Sequence, residues 1–160
     1  LDYVAGFLGC LYAGAVAVPL YPPSGGKYSA RHLAVLADSR PAAALVPGAE
    51  PARAAELAEE LHAPGLQLLS VDGELPGAGD WRRPHIDGDS LAFLQYTSGS
   101  TGTPRGVRVT HRNLVANSAQ IQERFAAGPD TAVVSWLPPY HDMGLIGGIL
   151  QPVYAGATAT

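Results

Sequence analysis

The chain has 160 residues, with Lys+Arg 10 against Asp+Glu 14, a formal net charge of −4 and 47% apolar residues. That length is enough to bury a core, and a 15% charged share beside a normal apolar share excludes the composition of a disordered chain. Mild acidity and scattered basic residues leave no footprint for nucleic acid, and no apolar stretch reaches the roughly 18 residues needed to span a bilayer.

In chain order, Leu1 to Gly14 reads as a helix with its apolar stripe on Leu1, Val4, Phe7, Leu8, Leu11 and Tyr12. Cys10 sits in that pattern. A single cysteine excludes an internal disulfide framework and a cysteine metal cluster, so it reads as a small core residue, with a reducing cytoplasm as the default compartment. Ala15 to Leu20 reads as a short buried strand and Tyr21 to Gly26 as a Pro/Gly loop. Ala30 to Ser39 is helical, with Leu33, Leu36 and Ala37 expected on one face. Ala42 to Val46 is a strand, Pro51 to His62 a helix, and Leu66 to Val71 a strand. Residues 72–89 lose all periodicity and form a connector between a first part, 1–71, and a second, 90–160. In the second part, Leu91 to Tyr96 is a strand, Thr97 to Gly106 a Gly/Ser/Thr loop, and Val107 to Val109 a strand. His111 to Phe125 follows as a helix that Thr110 can cap. Ala132 to Trp136 is a strand, Pro138 to Asp142 a turn and Met143 to Tyr154 a helix. Strands separated by helices predict an α/β class of layered sheets with flanking helices and parallel strands. The start at Leu1 without Met, and the stop at Thr160 in what reads as a strand, make the chain read as a piece of a longer one.

The segment from Tyr96 to Val107 carries the chemistry. Directly after an apolar strand it places hydroxyls at Thr97, Ser98, Ser100, Thr101 and Thr103, glycines at Gly99, Gly102 and Gly106, and a cation at Arg105. Backbone N–H groups in a glycine-rich turn bind anions, hydroxyls reach phosphate oxygens or magnesium, and a guanidinium holds two oxygens in a planar fork. A flexible Gly/Ser linker has similar composition, but it does not lie between two apolar strands or contain the rigid Thr103-Pro104 pair. The spacing misses the nucleotide-triphosphatase P-loop and no lysine follows; the dinucleotide fingerprint also fails, since the loop leads into a strand. The histidines His32, His62, His85 and His111 lack metal-ligand spacing and read as structural, so no metal-ligand set is assigned.

The segment resembles the signature loop of the adenylate-forming enzymes, whose pattern runs Y-T-S-G-[ST]-T-G-x-P-K-G-V. Eleven of the twelve positions from Tyr96 to Val107 are matched or free, and the departure is Arg105 where the family carries lysine. A second block, Ser135 to Gly148 (SWLPPYHDMGLIGG), is similar to the form typical of fatty acyl-AMP ligases, as are Phe7 to Gly14 and Val18 to Pro23. The resemblance implies part of the large N-terminal domain, with ATP and Mg2+ used to convert a fatty acid to its acyl-AMP. The acyl group then passes to the phosphopantetheine thiol of an acyl carrier protein, often in polyketide or peptide assembly lines. It assigns the loop from Thr97 to Gly106 to phosphate binding. It puts His141, after Tyr140, near the adenylate phosphate, and it places Met143, Gly144, Leu145, Ile146 and Gly148 along an acyl tunnel. Leu145, Ile146, Ile149 and Leu150 read equally well as plain core, and His141 as a turn histidine bonded to nearby backbone. Asp142 reads as a helix cap or as a group that orients the His141 ring. The family's catalytic lysine belongs to a small C-terminal domain, and Lys27, the one lysine, is no substitute for it, so these 160 residues alone are expected to be inactive. An acyl-CoA synthetase, an amino-acid adenylation domain and a non-catalytic nucleotide-binding module remain the alternatives.

Overall fold

A computed structural model of the chain describes residues 1–23, 28–46, 58–59, 63, 65–71, 78–97 and 104–160. Helix α1 (Asp2–Tyr12) buries Phe7, whose ring meets that of Phe93 edge-on with centroids 5.7 Å apart. Leu8, Cys10 and Leu11 pack on the same cluster, and burial pushes the Cys10 thiol up, which suits an unreactive core residue. Gly14 ends the segment at φ +70, a conformation open to glycine, where a Cβ would come within 3.2 Å of Pro84. The strand expected over Ala15–Leu20 reduces to one parallel bridge between Ala17 and Phe93. Pro19 lacks the N–H that a longer ladder would use.

Helix α2 (Ala30–Ser39) has the expected bounds and a capping box between Ser29 and His32. Its buried face differs from the expected one. His32 and Val35 point inward, while Leu33 is 38% exposed. A histidine can occupy that place because both of its ring nitrogens find partners. Strands β1 (Ala43–Val46) and β2 (Gln67–Ser70) pair in parallel, Ala43 opposite Gln67. Of the helix expected over 51–62, Ala58 and Glu59 are helical, and the remainder lies outside the described residues, as does Lys27.

Strands β3 (Leu91–Thr97) and β4 (Arg105–Thr110) form an antiparallel hairpin, which corrects the expectation of parallel strands throughout. A parallel crossover needs a connection of about a dozen residues or more, and the stretch from 98 to 104 is too short for one. The register shifts between Leu91 and Phe93, a bulge that lets consecutive residues Ala92 and Phe93 both bury completely. On the other edge of β3, Ala17 donates its N–H to Ala92 O at 3.1 Å and accepts from Leu94 N–H at 2.8 Å.

Helix α3 (His111–Phe125) follows β4 directly, and its first amides are all accounted for. His111 and Arg112 donate to the carbonyls of Ser90 and Gly88, and Asn113 donates to the Thr110 hydroxyl in a second capping box. Strand β5 (Ala132–Val133) is shorter than the expected Ala132–Trp136 and pairs in parallel with β6 (Thr158–Ala159). Pro138 and Pro139 follow closely, and Trp136 is 88% exposed. The single helix expected over Met143–Tyr154 is two: a π-helical segment, Met143–Leu150, then α4 (Gln151–Ala155), ended by Gly156 at φ +68. No helix among the described residues is long and apolar enough to cross a membrane.

Candidate functional site

The β3–β4 hairpin puts the two ends of the Gly/Ser/Thr loop side by side, because Thr97 pairs with Arg105 and Tyr96 with Gly106. Thr97 and Arg105 are both exposed at this end of the hairpin. The intervening candidates Ser98, Gly99, Ser100, Thr101, Gly102 and Thr103 lie outside the described residues. Gly106 has a local reason: a Cβ there would sit 3.0 Å from the Tyr96 ring, which lies over β4 at this point. Tyr96 is held at both ends. Its hydroxyl donates to Asp38 Oδ2 at 2.5 Å and its carbonyl accepts from Arg31 Nη2 at 3.2 Å. Burial and the Asp38 carboxylate push the Tyr96 phenol up to about 12.

The second group is the turn before the π-helical segment. His141 N–H donates to Pro138 O at 3.1 Å, and Leu145 N–H donates to His141 O at 2.8 Å. The His141 ring is exposed, with Nδ1 2.6 Å from Asp142 Oδ1. The same carboxylate oxygen accepts Met143 N–H at 2.7 Å, so Asp142 both caps the segment and orients the ring. Met143 N–H lies a longer 3.4 Å from Nδ1, so a ring proton on Nδ1 goes to Asp142. This is the tighter geometry the glycine at 144 permits, since a Cβ there would fall 2.1 Å from Pro138 O.

Of the tunnel candidates, Leu145 is fully buried in the core cluster with Phe7 and Phe93, while Met143 is 63% exposed. Gly144 and Gly148 line an apolar cavity of about 460 Å³ together with Val4, Leu137, Ile149 and Val153. The Tyr140 ring lies 6.1 Å from that of Tyr21. The hydroxyl of Tyr3 is buried with no hydrogen-bond partner among the described residues, and burial, then Tyr140, push its phenol up to about 12.

Sequence reasoning missed Arg31 and Asp38. No local signal ties either to a tyrosine 58 or more residues away. Among the described residues no three His, Cys, Asp or Glu side chains gather as a metal site.

Comparison with known proteins relates the chain as a whole to one family. The profile of the AMP-binding enzyme family matches residues 1–160. FadD21 of Mycobacterium tuberculosis, provisionally named a fatty-acid–CoA ligase, is 44% identical over 98% of this chain. JamA of Moorena producens, a medium-chain-fatty-acid–[acyl-carrier-protein] ligase, is 37% identical over 98% of it. The chain spans 28% and 27% of those two relatives. A fatty acyl-adenylate ligase from L. pneumophila, solved in complex with acyl adenylate and pyrophosphate, superposes with a TM-score of 0.84 at 39% identity. That match covers 99% of this chain and 27% of the other. The layered α/β arrangement is therefore that of the adenylate-forming enzymes, and the chain belongs to the AMP-binding enzyme family.

Proposed function

We propose that this chain supplies the phosphate-binding loop and the carboxylate-facing turn of a ligase that activates a fatty acid as its acyl-AMP. In the first step a carboxylate oxygen attacks the α-phosphorus of ATP, the bond to the bridging oxygen breaks, and pyrophosphate leaves with that electron pair. Thr97, the hydroxyls of Ser98, Ser100, Thr101 and Thr103, the backbone at Gly99, Gly102 and Gly106, and the Arg105 guanidinium hold the phosphates. The hydroxyls of this loop would also help hold a magnesium ion, which would supply charge neutralisation on the phosphates. In the second step a thiol sulfur attacks the acyl carbon, AMP leaves, and the thiol proton passes to solvent.

His141 contributes through its free nitrogen. With Nδ1–H committed to Asp142, Nε2 donates to an anionic oxygen only as an imidazolium, whose charge the Asp142 carboxylate offsets. Tyr140, Met143 and Gly144 face the acyl group around this turn, and Leu145 backs it from the core. The acceptor we favour is the phosphopantetheine of an acyl carrier protein within an assembly line. The acceptor in JamA's name supports that reading, and coenzyme A is the alternative, from the name of FadD21. The 160 residues by themselves are expected to be inactive, the family's catalytic lysine having no counterpart here.

The single observation that carries the proposal is the pairing of Thr97 with Arg105, which gathers both ends of a hydroxyl- and glycine-rich loop at one exposed end of a hairpin. It is tested by fatty-acid-dependent ATP–pyrophosphate exchange in the full-length ligase. Arg105→Ala and Thr101→Ala should each slow exchange at least about tenfold, the scale of one lost transition-state contact. Exchange at the unmodified rate in both variants refutes the assignment.

A further inference from the structure

Helix α2 makes polar contacts with the first half of the site that a purely supporting helix does not need, and it is linked to the second half through Tyr21. At its C-terminal end Asp38 Oδ2 takes the Tyr96 hydroxyl at 2.5 Å. At its N-terminal end Arg31 Nη2 donates to the Tyr96 carbonyl at 3.2 Å, one residue before the loop begins. The Tyr96 ring between them lies against Gly106, so the next-to-last pair of the hairpin, directly before Thr97 and Arg105, is held from one side.

The same end of α2 also reaches the second half. Tyr21 and Ser29 hydroxyls lie 2.8 Å apart, Ser29 Oγ lies 2.8 Å from His32 Nδ1, and His32 Nε2 lies 2.9 Å from the Tyr21 carbonyl. Because the Ser29 backbone N–H also donates to Nδ1, that nitrogen is an acceptor and Nε2 carries the proton. The donor directions then close a circuit: Tyr21 hydroxyl to Ser29, Ser29 hydroxyl to His32, and His32 Nε2–H back to Tyr21. His32 is only 2% exposed, which anchors the circuit on the buried side, while Ser29 closes it at the surface. Tyr21, packed on His32 with centroids 4.2 Å apart and the rings tilted by 54°, presents its ring to Tyr140 in the turn that carries His141, at 6.1 Å.

We infer that α2 is a brace that sets the phosphate loop relative to the Tyr140–His141 turn, with Asp38 as a positioning residue acting through Tyr96. This rests on the adenylation reading above. Attack on the α-phosphorus needs the two halves in register, and a shift of about 1 Å in such a geometry costs on the order of a hundredfold in rate. A carboxylate serves here because it only accepts, which fixes the direction of the tyrosine hydroxyl.

The test uses the full-length ligase and three variants: Asp38→Ala, Asp38→Asn, which keeps an acceptor oxygen for the hydroxyl, and Tyr96→Phe, which keeps the ring against Gly106. Fatty-acid-dependent ATP–pyrophosphate exchange is measured well below each variant's melting temperature. We expect Asp38→Ala and Tyr96→Phe each to lower kcat about tenfold, with KM for the fatty acid within about twofold of the unmodified enzyme. Asp38→Asn should recover most of that loss, and the Asp38→Ala/Tyr96→Phe double variant should be no slower than either single one. Unchanged kcat in both single variants, or losses that multiply in the double variant, overturns the brace while leaving adenylation standing. Absence of exchange in the unmodified enzyme with every fatty acid tried overturns the adenylation reading and the brace with it.

Discussion

Replacing Gly144 with alanine would drive a methyl group into the backbone of the turn that orients His141. The added Cβ would lie 2.1 Å from Pro138 O, 2.7 Å from Pro138 C and 2.9 Å from Leu137 O, where real Cβ contacts below 3.0 Å essentially do not occur. About 0.9 Å must therefore open between the π-helical segment and the turn, and neither side is a flexible side chain. Pro138 O is also the acceptor of His141 N–H at 3.1 Å, so moving that carbonyl stretches the bond that closes the turn. Overpacking of this kind costs about 1–3 kcal/mol and a lost backbone hydrogen bond about 1 kcal/mol, giving a destabilisation on the order of 2–4 kcal/mol. In a domain of this size or larger that lowers Tm by roughly 5–10 °C. The assay is a thermal melt of Gly144→Ala in the full-length protein, read beside Gly147→Ala, whose added Cβ would meet nothing within 4 Å. The alanine at 147 should leave Tm within about 1 °C. Equal melting temperatures for the two variants would refute the argument that the segment packs by backbone contact at Gly144.

Two further outcomes follow from the same structure. Thr110→Ala removes the hydroxyl that accepts Asn113 N–H at 3.2 Å and should destabilise α3 by about 1 kcal/mol, seen as a lower midpoint in urea, whereas Thr110→Ser should restore it. For Tyr96, the fold holds the phenol above its ordinary value of 10.0, up to about 12, so the neutral form is the one stabilised. That contribution is fully present below pH 10 and is lost as pH rises toward 12. The unfolding free energy should therefore fall with pH across this window, and less steeply in Tyr96→Phe; parallel pH profiles would contradict it.

The residue types of the candidate site were legible in the sequence itself, because they are neighbours along the chain. The loop between Tyr96 and Val107 and the Pro-Pro-Tyr-His-Asp turn declare their residue types directly. Asp142 read as a cap or as a ring orienter, and one carboxylate oxygen serves both roles, since Met143 N–H and His141 Nδ1 converge on Oδ1. The acyl-tunnel candidates divided less cleanly. Periodicity treats Leu145 and Gly144 as adjacent apolar positions, yet one fills the core beside Phe93 and the other borders a cavity. Winding as a π-helix changes which residues share a face, and nothing in the apolar pattern signals it.

The sequence by itself determined the bounds of α2 and of α3 with its Thr110 cap, the places of β1 to β3, and the family-like loop. Caps, helical period and strand alternation all act over a few residues. Only the tertiary structure decided that β3 and β4 run antiparallel, that His32 and not Leu33 turns inward, and that Asp38 holds Tyr96 across 58 residues. Those choices depend on which surfaces meet after the chain collapses. A buried histidine is stable only where both ring nitrogens find partners, and a tyrosine hydroxyl finds a carboxylate 58 residues away only once the two segments have packed, which no local pattern shows.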